Sequence, residues 1–249
     1  MIILKSKQEI EYMREAGKIL AHVHEVLRDA IKPGVTTKEL DELAEAEIKK
    51  HGAEAAFKGY HGYPASICTS INEEVVHGIP GLKTLKDGDI ISIDVGTIYK
   101  GYYADAAKTH PVGTVSEDLQ RLMEVTRQSF YEGLKYCMVG NRLSDISHAI
   151  QKYVESYGFS VVRDLVGHGI GRNMHEDPQV PNYGSPGRGP RLVEGMVLAI
   201  EPMVNMGTYE VETLQDNWTV VTADGKPSAH YEHTVAITKD GPMILTSFS

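Results

Sequence analysis

The sequence predicts an α+β fold with two pseudo-symmetric halves, each made of a helix pair followed by antiparallel strands. Four segments carry apolar residues at helical spacing, and apolar runs of strand length lie between and after them. The chain also resembles itself when it is shifted by 106 residues. We expect residues 1–249 to form a single domain.

Helix start and stop signals define the first pair. The first helix is predicted to follow a capping box of Ser6 and Glu9 and to stop at residues 32–34, which read Lys-Pro-Gly. The second is predicted to begin at Thr36 or the next residue and to end before Gly52. Both segments are amphipathic, so each helix is expected to pack one face on the core.

The second half repeats this arrangement. Its first helix is expected to open at Ser116, and its second to run from about Ser144 to Tyr157. The 106-residue shift places Gly34, Leu40 and Gly52 on Gly140, Ile146 and Gly158, and it brings His61-Gly62 within one position of His168-Gly169. Two helices bounded by turn glycines can align in this way by chance, but duplication explains the order of elements better.

A hairpin follows the first helix pair. Residues 89–96 and 102–109 read as strands joined by a turn at residues 99–101. If the turn centres near Tyr99 and Lys100, then Asp94 and Asp105 lie nearly opposite each other. Two carboxylates would repel each other in so apolar a hairpin, so a cation between them is the better interpretation than two solvated surface residues.

Two glutamates stand at strand ends in the second half. Glu201 ends the apolar run 196–200, and Glu232 begins the next strand. A bare carboxylate at such a position costs several kcal/mol unless it is paired or protonated. Sites in sheet-based folds often collect at strand ends, so both glutamates are candidate ligands.

His168 lies in a glycine-rich segment, residues 167–171, that is unsuited to a helix. A lone histidine is more often a hydrogen-bonded core residue than a ligand. His175 and His77 also stand beside glycine-rich turns, which favours imidazoles gathered at one cavity for hydrogen bonding or proton transfer. The glycine spacing does not match a dinucleotide or phosphate loop.

These residues together predict a metal centre. The four carboxylates carry a formal charge of about minus four, which two divalent cations would neutralise. The proposed ligands are Asp94, Asp105, His168, Glu201 and Glu232.

Composition narrows the function class. The chain has 25 basic and 34 acidic residues and a net charge of -9, which disfavours nucleic acid and anionic membranes as partners. Its N-terminus carries charges directly after the short apolar run Ile2-Ile3-Leu4, unlike a signal peptide. With only Cys68 and Cys137 as thiols, a reducing, cytoplasmic location is expected.

The ordered set of ligands and histidines resembles the type I methionine aminopeptidases of the pita-bread fold, over nearly the whole chain. Three segments are similar to the sequence motifs of that family: YHGYPASICTSINEEVVHGIP, GHGIGRNMHEDPQVPNYG and EGMVLAIEPMV. Only 31 positions separate Glu201 from Glu232, which leaves no space for the helical insertion of type II relatives.

The resemblance implies a role for each ligand. Asp94 would bind one metal ion, His168 and Glu201 would bind the other, and Asp105 and Glu232 would bridge them. A water or hydroxide between the metals would attack the first peptide carbonyl. Glu201 would shuttle the proton, and the accessory catalytic histidines, His77 and His175, would hydrogen-bond the scissile amide region of the substrate.

The resemblance also implies a pocket for the methionine side chain. Its lining would comprise Tyr60, Tyr63, Cys68 and Trp218, with Phe57 and Met174 at matching positions. Some relatives carry cysteine at the position of Phe57 and phenylalanine at that of Met174, so the pocket shape stays open. Without the resemblance, ordinary core or surface aromatics would be the preferred interpretation of Trp218 and the tyrosines.

The expected substrates are the N-terminal peptides of nascent proteins with a small second residue, and the ribosome is a possible partner. The ligand set favours manganese, iron or cobalt, and zinc would also bind. Two alternatives stay open: an Xaa-Pro aminopeptidase or prolidase of the same fold, and a non-catalytic peptide-binding module. The first usually carries an additional N-terminal domain, and the second usually has ligands replaced.

Overall fold

A computed structural model of the chain describes residues 1–248, and its helices lie where the sequence predicts them. They are α1 (Lys7–Ala30), α2 (Thr37–Lys50), α3 (Glu117–Leu134) and α4 (Leu143–Ser156). The predicted capping box of Ser6 and Glu9 is confirmed, since the Ser6 N–H donates to Glu9 Oε2 at 2.7 Å and the Glu9 N–H donates to Ser6 Oγ at 3.2 Å. Thr36 caps α2 in the same way.

The strands of the described residues are mostly short and form four sheets. They are β1 (Glu54–Ala55), β2 (Ile67–Ile71), β3 (Glu74–Val76), β4 (Ile90–Tyr99), β5 (Tyr102–Pro111), β6 (Ser160–Val161), β7 (Gly167–Gly169), β8 (Glu176–Val180), β9 (Val197–Ile200), β10 (Met203–Asn205), β11 (Val211–Thr213), β12 (Val220–Thr222), β13 (Ser228–His230), β14 (His233–Thr238) and β15 (Gly241–Ile244). All of their pairings are antiparallel, as predicted. The two larger sheets run in the orders β1-β4-β2, with β5 added to β4, and β15-β14-β9-β7-β8.

The two larger sheets meet along a seam of backbone and hydroxyl contacts. Ala107 and Glu232 exchange backbone hydrogen bonds of 3.2 and 2.9 Å between β5 and the residue before β14. Thr234 Oγ1 accepts from the Asp105 N–H at 3.0 Å and donates to the Asp105 carbonyl at 2.8 Å. Two of these four residues, Asp105 and Glu232, are candidate ligands, so the seam fixes the site where the halves join.

Each half has its own hydrophobic core beneath its helix pair. In the first half, α1 and α2 pack on β4 through buried residues such as Leu27, Leu40 and Ile93. In the second half, α3 and α4 pack on β9 and β14, and Phe130 and Ile150 lie among the buried residues. No helix within residues 1–248 combines the length and apolar character needed to span a membrane.

The predicted duplication is confirmed in detail. The bounds of α2 and α4 differ by 106 residues, and so do those of β1 and β6. The turns before α2 and α4 also match: the Gly34 N–H donates to the Leu85 carbonyl at 2.8 Å, and the Gly140 N–H donates to the Leu192 carbonyl at 2.9 Å. Both glycines have a φ of 95°, a conformation that favours glycine.

One part of the predicted alignment is wrong. His61-Gly62 lies in a 3-10 turn, Tyr60–Gly62, whereas His168-Gly169 lies in the extended strand β7. The φ angles of Gly59, His61 and Gly62 are 83°, 48° and 83°, so the chain curls at this point and cannot form a strand.

The predicted hairpin is present, but its aspartates are not directly opposite each other. The two turn residues are Lys100 and Gly101, with φ angles of 51° and 80°, which suit a two-residue hairpin turn. Because the turn centres one residue later than the sequence suggested, Asp94 pairs with Ala107 and Asp105 pairs with Gly96. The two carboxylates therefore lie on a diagonal of the same sheet face.

Candidate metal centre

The five predicted ligands come from both halves of the fold. Asp94 lies within β4 and Asp105 within β5, while His168 lies in β7. Glu201 directly follows β9, and Glu232 directly precedes β14. The fold brings all five side chains together where the β4–β5 hairpin faces the second large sheet.

The distances among the ligands suit a shared ion. His168 Nε2 lies 3.4 Å from Glu201 Oε1 and 3.7 Å from Asp105 Oδ2. The ligand atoms of Asp105, His168 and Glu232 all lie within 4.8 Å of one another. Asp105 is 5% exposed and Glu232 is fully buried, so water contributes little to stabilising either charge.

Several of these oxygens lack a protein partner. Asp94 Oδ1, Asp105 Oδ1 and both carboxylate oxygens of Glu232 are buried without a hydrogen bond. Within residues 1–248, the basic side chains within ion-pair distance of the ligand carboxylates are the two imidazoles His168 and His230. Two imidazoles do not balance the negative charge of four buried carboxylates, so these residues fit divalent cations.

The pKa values of the ligand carboxylates reflect their burial and mutual repulsion. Burial and the neighbouring carboxylates Asp105 and Glu232 raise the pKa of Asp94 well above its ordinary value. Burial, Asp105 and Glu201 likewise raise the pKa of Glu232. Burial opposes the ionisation of Asp105, but its interaction with His168 outweighs burial and holds the pKa of Asp105 low. The site therefore retains protons that a metal ion would displace.

His168 is the cationic partner among these protein side chains. Burial opposes its protonation, but Asp105 and Glu201 outweigh burial and raise the pKa of this imidazole to about 8. Its Nδ1 lies 2.8 Å from the carbonyl oxygen of Gly169, a contact in which Nδ1 carries the hydrogen. Nε2 is the nitrogen that faces the carboxylates, and it is available to an ion once it loses its proton.

The accessory histidines line the same cavity as the ligands. His175 packs on His168 with ring centroids 4.3 Å apart, and its Nδ1 lies 2.8 Å from the Tyr60 hydroxyl. His77 follows β3 in a left-handed conformation with a φ of 62°. Burial lowers the pKa of both His77 and His175, so both are neutral imidazoles near neutral pH.

The tight turn after β3 fixes His77. A Cβ on Gly78 would stand 2.0 Å from the Thr69 carbonyl oxygen, so only glycine fits against β2 there. The Gly78 N–H donates to Ser70 Oγ at 3.1 Å, and its carbonyl accepts from the Thr69 N–H at 2.9 Å. His77 is thereby pointed into the cavity.

An apolar pocket adjoins the ligands. The cavity has a volume of about 310 Å³, and Asp94, Asp105, His168 and Glu201 form part of its wall. All six predicted pocket residues line it: Phe57, Tyr60, Tyr63, Cys68, Met174 and Trp218. They form one contact cluster of mainly aromatic and sulfur-containing side chains.

Two contacts hold the shape of this pocket. The ring of Tyr63 meets Trp218 edge-on with centroids 5.0 Å apart. The Tyr63 hydroxyl donates to the Ile67 carbonyl at 2.8 Å, which ties the ring to β2. Burial raises the pKa of the Cys68 thiol well above its ordinary value, so this cysteine acts as a small apolar wall.

Sequence reasoning missed two histidines at the site. His230 Nε2 lies 3.3 Å from Glu201 Oε2, and His61 lines the apolar cavity. His230 stands two residues before Glu232, and residues two apart point to the same face of an extended chain. That spacing was the available signal for His230. His61 had no comparable signal, because its position depends on the curled turn.

The comparisons with known proteins cover nearly the whole chain. The model of metallopeptidase family M24 matches residues 11–239. A methionine aminopeptidase of Clostridium perfringens is 61% identical over 246 residues, which is 99% of each chain. Methionine aminopeptidase 1 of Bacillus subtilis is also 61% identical over 246 residues, again 99% of each chain.

Solved structures show the same similarity in three dimensions. The crystal structure of a methionine aminopeptidase from Thermotoga maritima matches with a TM-score of 0.98 at 50% identity, covering 99% of this chain and 100% of that one. A prolidase from Pyrococcus furiosus matches with a TM-score of 0.81 at 24% identity, covering 99% of this chain and 66% of that one. The latter similarity extends to the fold alone.

Proposed function

This chain belongs to metallopeptidase family M24, and we propose that it removes the N-terminal methionine from peptides and nascent proteins whose second residue is small. The full-length identity to methionine aminopeptidases confirms the predicted family and its pita-bread fold, and it favours this reaction over Xaa-Pro cleavage or peptide binding alone. The observation that carries the proposal is the convergence of five metal-ligand side chains beside an apolar pocket.

The family uses divalent metal ions, and we propose two of them here: manganese, iron, cobalt or zinc. Asp94 would hold one ion, His168 and Glu201 the other, and Asp105 and Glu232 both. The unpartnered oxygens of Asp94, Asp105 and Glu232 support this assignment, since two divalent ions would neutralise the four carboxylates. When bound, such ions supply Lewis acidity and lower the pKa of a water molecule.

The protein side chains would then orient the substrate and move the proton. Glu201 lies at the border between the ligands and the open cavity, so its carboxylate can accept a proton and pass it to the leaving amine. His175 and His77 are neutral and can donate hydrogen bonds to the scissile peptide group. Such donors stabilise the charge that develops on the carbonyl oxygen.

The pocket supports the choice of methionine. The aromatic rings of Tyr63 and Trp218 and the thioether of Met174 provide a polarizable surface for an unbranched thioether side chain. Because the cavity opens beside the ligands, a side chain seated there places the first peptide bond at the metal centre. The amino terminus then lies near the carboxylates.

The remaining proposals concern the cellular setting. We propose that residues 1–249 form one catalytic domain in the cytoplasm, acting on nascent chains, with the ribosome as a partner. The seam between β5 and β14 supports a single domain, because ligands from both halves are needed to complete the site. The excess of acidic residues argues against nucleic acid or membrane as direct partners.

The proposal is tested with metal-stripped protein and two peptides, Met-Ala-Ser and Ala-Pro-Ser. Manganese, iron, cobalt and zinc are added back singly, and released amino acids are quantified. We expect metal-dependent release of methionine from the first peptide and no cleavage of the second. E201Q should be inactive, while E194Q, a change at an exposed glutamate on the preceding loop, should match the native protein. Cleavage of Ala-Pro-Ser alone would reject the proposal.

A further inference from the structure

His230 is a buried histidine beside the metal ligands. It is 1% exposed, and it ends β13, whose partner β10 places Met203 opposite it. The His230 N–H donates to Thr109 Oγ1 at 2.9 Å, and Thr109 Oγ1 donates to the His230 carbonyl at 2.8 Å. These bonds hold the backbone of His230 against β5, so the position from which its side chain extends is fixed.

A second hydroxyl completes this attachment. Ser92 Oγ lies 2.8 Å from Thr109 Oγ1. Because the single hydroxyl hydrogen of Thr109 is donated to His230, the hydrogen between the two hydroxyls must come from Ser92. Ser92 lies on β4, two residues before Asp94, so the strand that carries the first ligand also supports His230.

The imidazole of His230 faces the ligand carboxylates. Nε2 lies 3.3 Å from Glu201 Oε2 and 3.9 Å from Glu232 Oε2, and it makes no hydrogen bond to any other protein group. The other oxygen of Glu201, Oε1, lies 3.4 Å from His168 Nε2. The imidazoles of His168 and His230 therefore face different oxygens of the Glu201 carboxylate.

We propose that His230 is a positioning residue for Glu201: its Nε2–H donates to Oε2 and so directs Oε1 toward the ion shared with His168. This inference rests on the proposed metal centre. A buried carboxylate that gives one oxygen to an ion has a second oxygen that still needs a donor, and metal-binding carboxylates are commonly held by such outer groups. His230 lies closer to Glu201 than to Glu232, which identifies Glu201 as the acceptor.

The consequence concerns both metal binding and turnover. Without the donor, Glu201 can rotate, so it would bind the second ion more weakly and present its carboxylate to the substrate less consistently. Loss of an outer hydrogen bond of this kind typically lowers metal affinity or activity about 10- to 100-fold. KM should change little, because the apolar pocket does not include His230.

The test compares His230→Leu with His230→Gln. Binding of Mn²⁺ is measured by calorimetry, and kcat and KM are measured with Met-Ala-Ser. We expect H230L to bind the ion shared by His168 and Glu201 about 10- to 100-fold less tightly, with a matching fall in kcat. H230Q should lie close to the native protein, because its side-chain amide can donate the same hydrogen bond.

His110→Leu is the matched control. His110 is another buried histidine whose Nε2 lacks a partner, but it forms no contact with the ligand carboxylates within hydrogen-bond distance. H110L should keep native Mn²⁺ affinity. If H230L shows no cooperative thermal transition, His230→Met, which is flexible and also lacks a donor, replaces it with the same expectation.

Three results would overturn the proposal. Native Mn²⁺ affinity and kcat in H230L would show that His230 has no such role. An equal loss in H230Q and H230L, or two imidazole nitrogen couplings in the spectrum of bound Mn²⁺ in place of one, would make His230 a direct ligand. If the native protein binds Mn²⁺ but releases no methionine, the proposed function fails, while the affinities of the variants still decide the role of His230.

Discussion

The hydroxyl of Tyr60 lies 2.8 Å from Nδ1 of His175 and determines which nitrogen of that histidine carries the hydrogen. Burial raises the pKa of Tyr60, so the phenol stays protonated. Burial also keeps His175 neutral, and we assign the phenol as the donor in this contact, so Nδ1 accepts the phenolic hydrogen and Nε2 bears the ring hydrogen. Tyr60 thereby fixes His175 as an Nε2–H donor for the substrate.

We expect Tyr60→Phe to lower kcat for Met-Ala-Ser about tenfold, because one hydrogen bond of about 1.4 kcal/mol is lost from the orientation of His175. KM should change less than kcat, since the phenyl ring still lines the pocket. Steady-state kinetics on the metal-loaded protein measure both. Tyr153→Phe, at a half-buried tyrosine of α4, serves as the control. Unchanged kcat in Y60F would show that the contact is not used in turnover.

The buried Glu232 should make metal-free protein less stable as the pH rises. Its folded pKa lies above its ordinary value, so the folded state binds the proton more tightly than the unfolded state does. Stability from this group is complete below the unfolded value of 4.5 and is lost as the pH rises through the folded pKa. Glu232→Gln should reduce this loss and weaken the stabilisation by Mn²⁺. Urea unfolding at pH 5.5 and 8, with and without Mn²⁺, measures both effects.

The protons that Asp94 and Glu232 release when Mn²⁺ binds can be measured directly. Calorimetric titration of Mn²⁺ in buffers with different ionisation enthalpies should show proton release from the native protein and less from E232Q. Equal heats in all buffers would contradict the raised pKa values of Asp94 and Glu232.

Lys5 and Glu176 form a buried ion pair, with side chains 3% and 5% exposed. Glu176 also accepts from the Asn173 N–H at 3.3 Å, which ties the segment after β7 to the N-terminal residues. Either Lys5→Met or Glu176→Leu alone should lower the free energy of unfolding by about 3–5 kcal/mol, because the remaining charge stays buried. The double variant should recover most of that loss. Urea unfolding of the native protein, the two single variants and the double variant gives the double-mutant cycle.

The exposed pair Glu15 and Lys18 provides the comparison for that cycle. Their side chains are 42% and 56% exposed and lie 2.8 Å apart. Lys18→Met should change the free energy of unfolding by less than about 1 kcal/mol. A similar loss of unfolding free energy in K18M and K5M would contradict the claim that burial makes the loss of one partner costly.

Buried neutral histidines should make the protein sensitive to acid. Burial lowers the pKa of His24 to about 4, and burial together with His24 lowers that of His110 to about 3. The unfolded state therefore takes up the proton first, so stability is complete above pH 6.5 and falls as the pH drops toward 4. Each histidine contributes a slope of about 1.4 kcal/mol per pH unit.

His110→Leu should remove one of these slopes. The measurement is the difference in free energy of unfolding between H110L and the native protein, both metal-free, from pH 7.5 to 4.5. H110L should gain relative to the native protein as the pH falls below 6.5. A difference that does not vary with pH would show that His110 is not kept neutral by the fold.

Local signals in the sequence predicted the elements and the candidate ligand positions, and the family resemblance predicted that the ligands meet. The capping boxes, the turn glycines and the carboxylates at the ends of apolar runs can all be read within a few residues. The diagonal offset of Asp94 and Asp105 was not predicted, since a turn displaced by one residue changes the pairing along the whole hairpin. His230 was missed because its contact with Glu201 depends on how β13 and β9 are placed in space.

The most direct test of the two-metal account measures Mn²⁺ binding and methionine release on the same samples of native protein, Asp105→Ala and Asp118→Ala. Asp118 is an exposed residue of α3 and serves as the control. The account predicts two ions bound per native or D118A chain, with methionine release increasing as the ions bind, and loss of both tight binding and release in D105A. Full methionine release by folded D105A at the same Mn²⁺ concentration would contradict it.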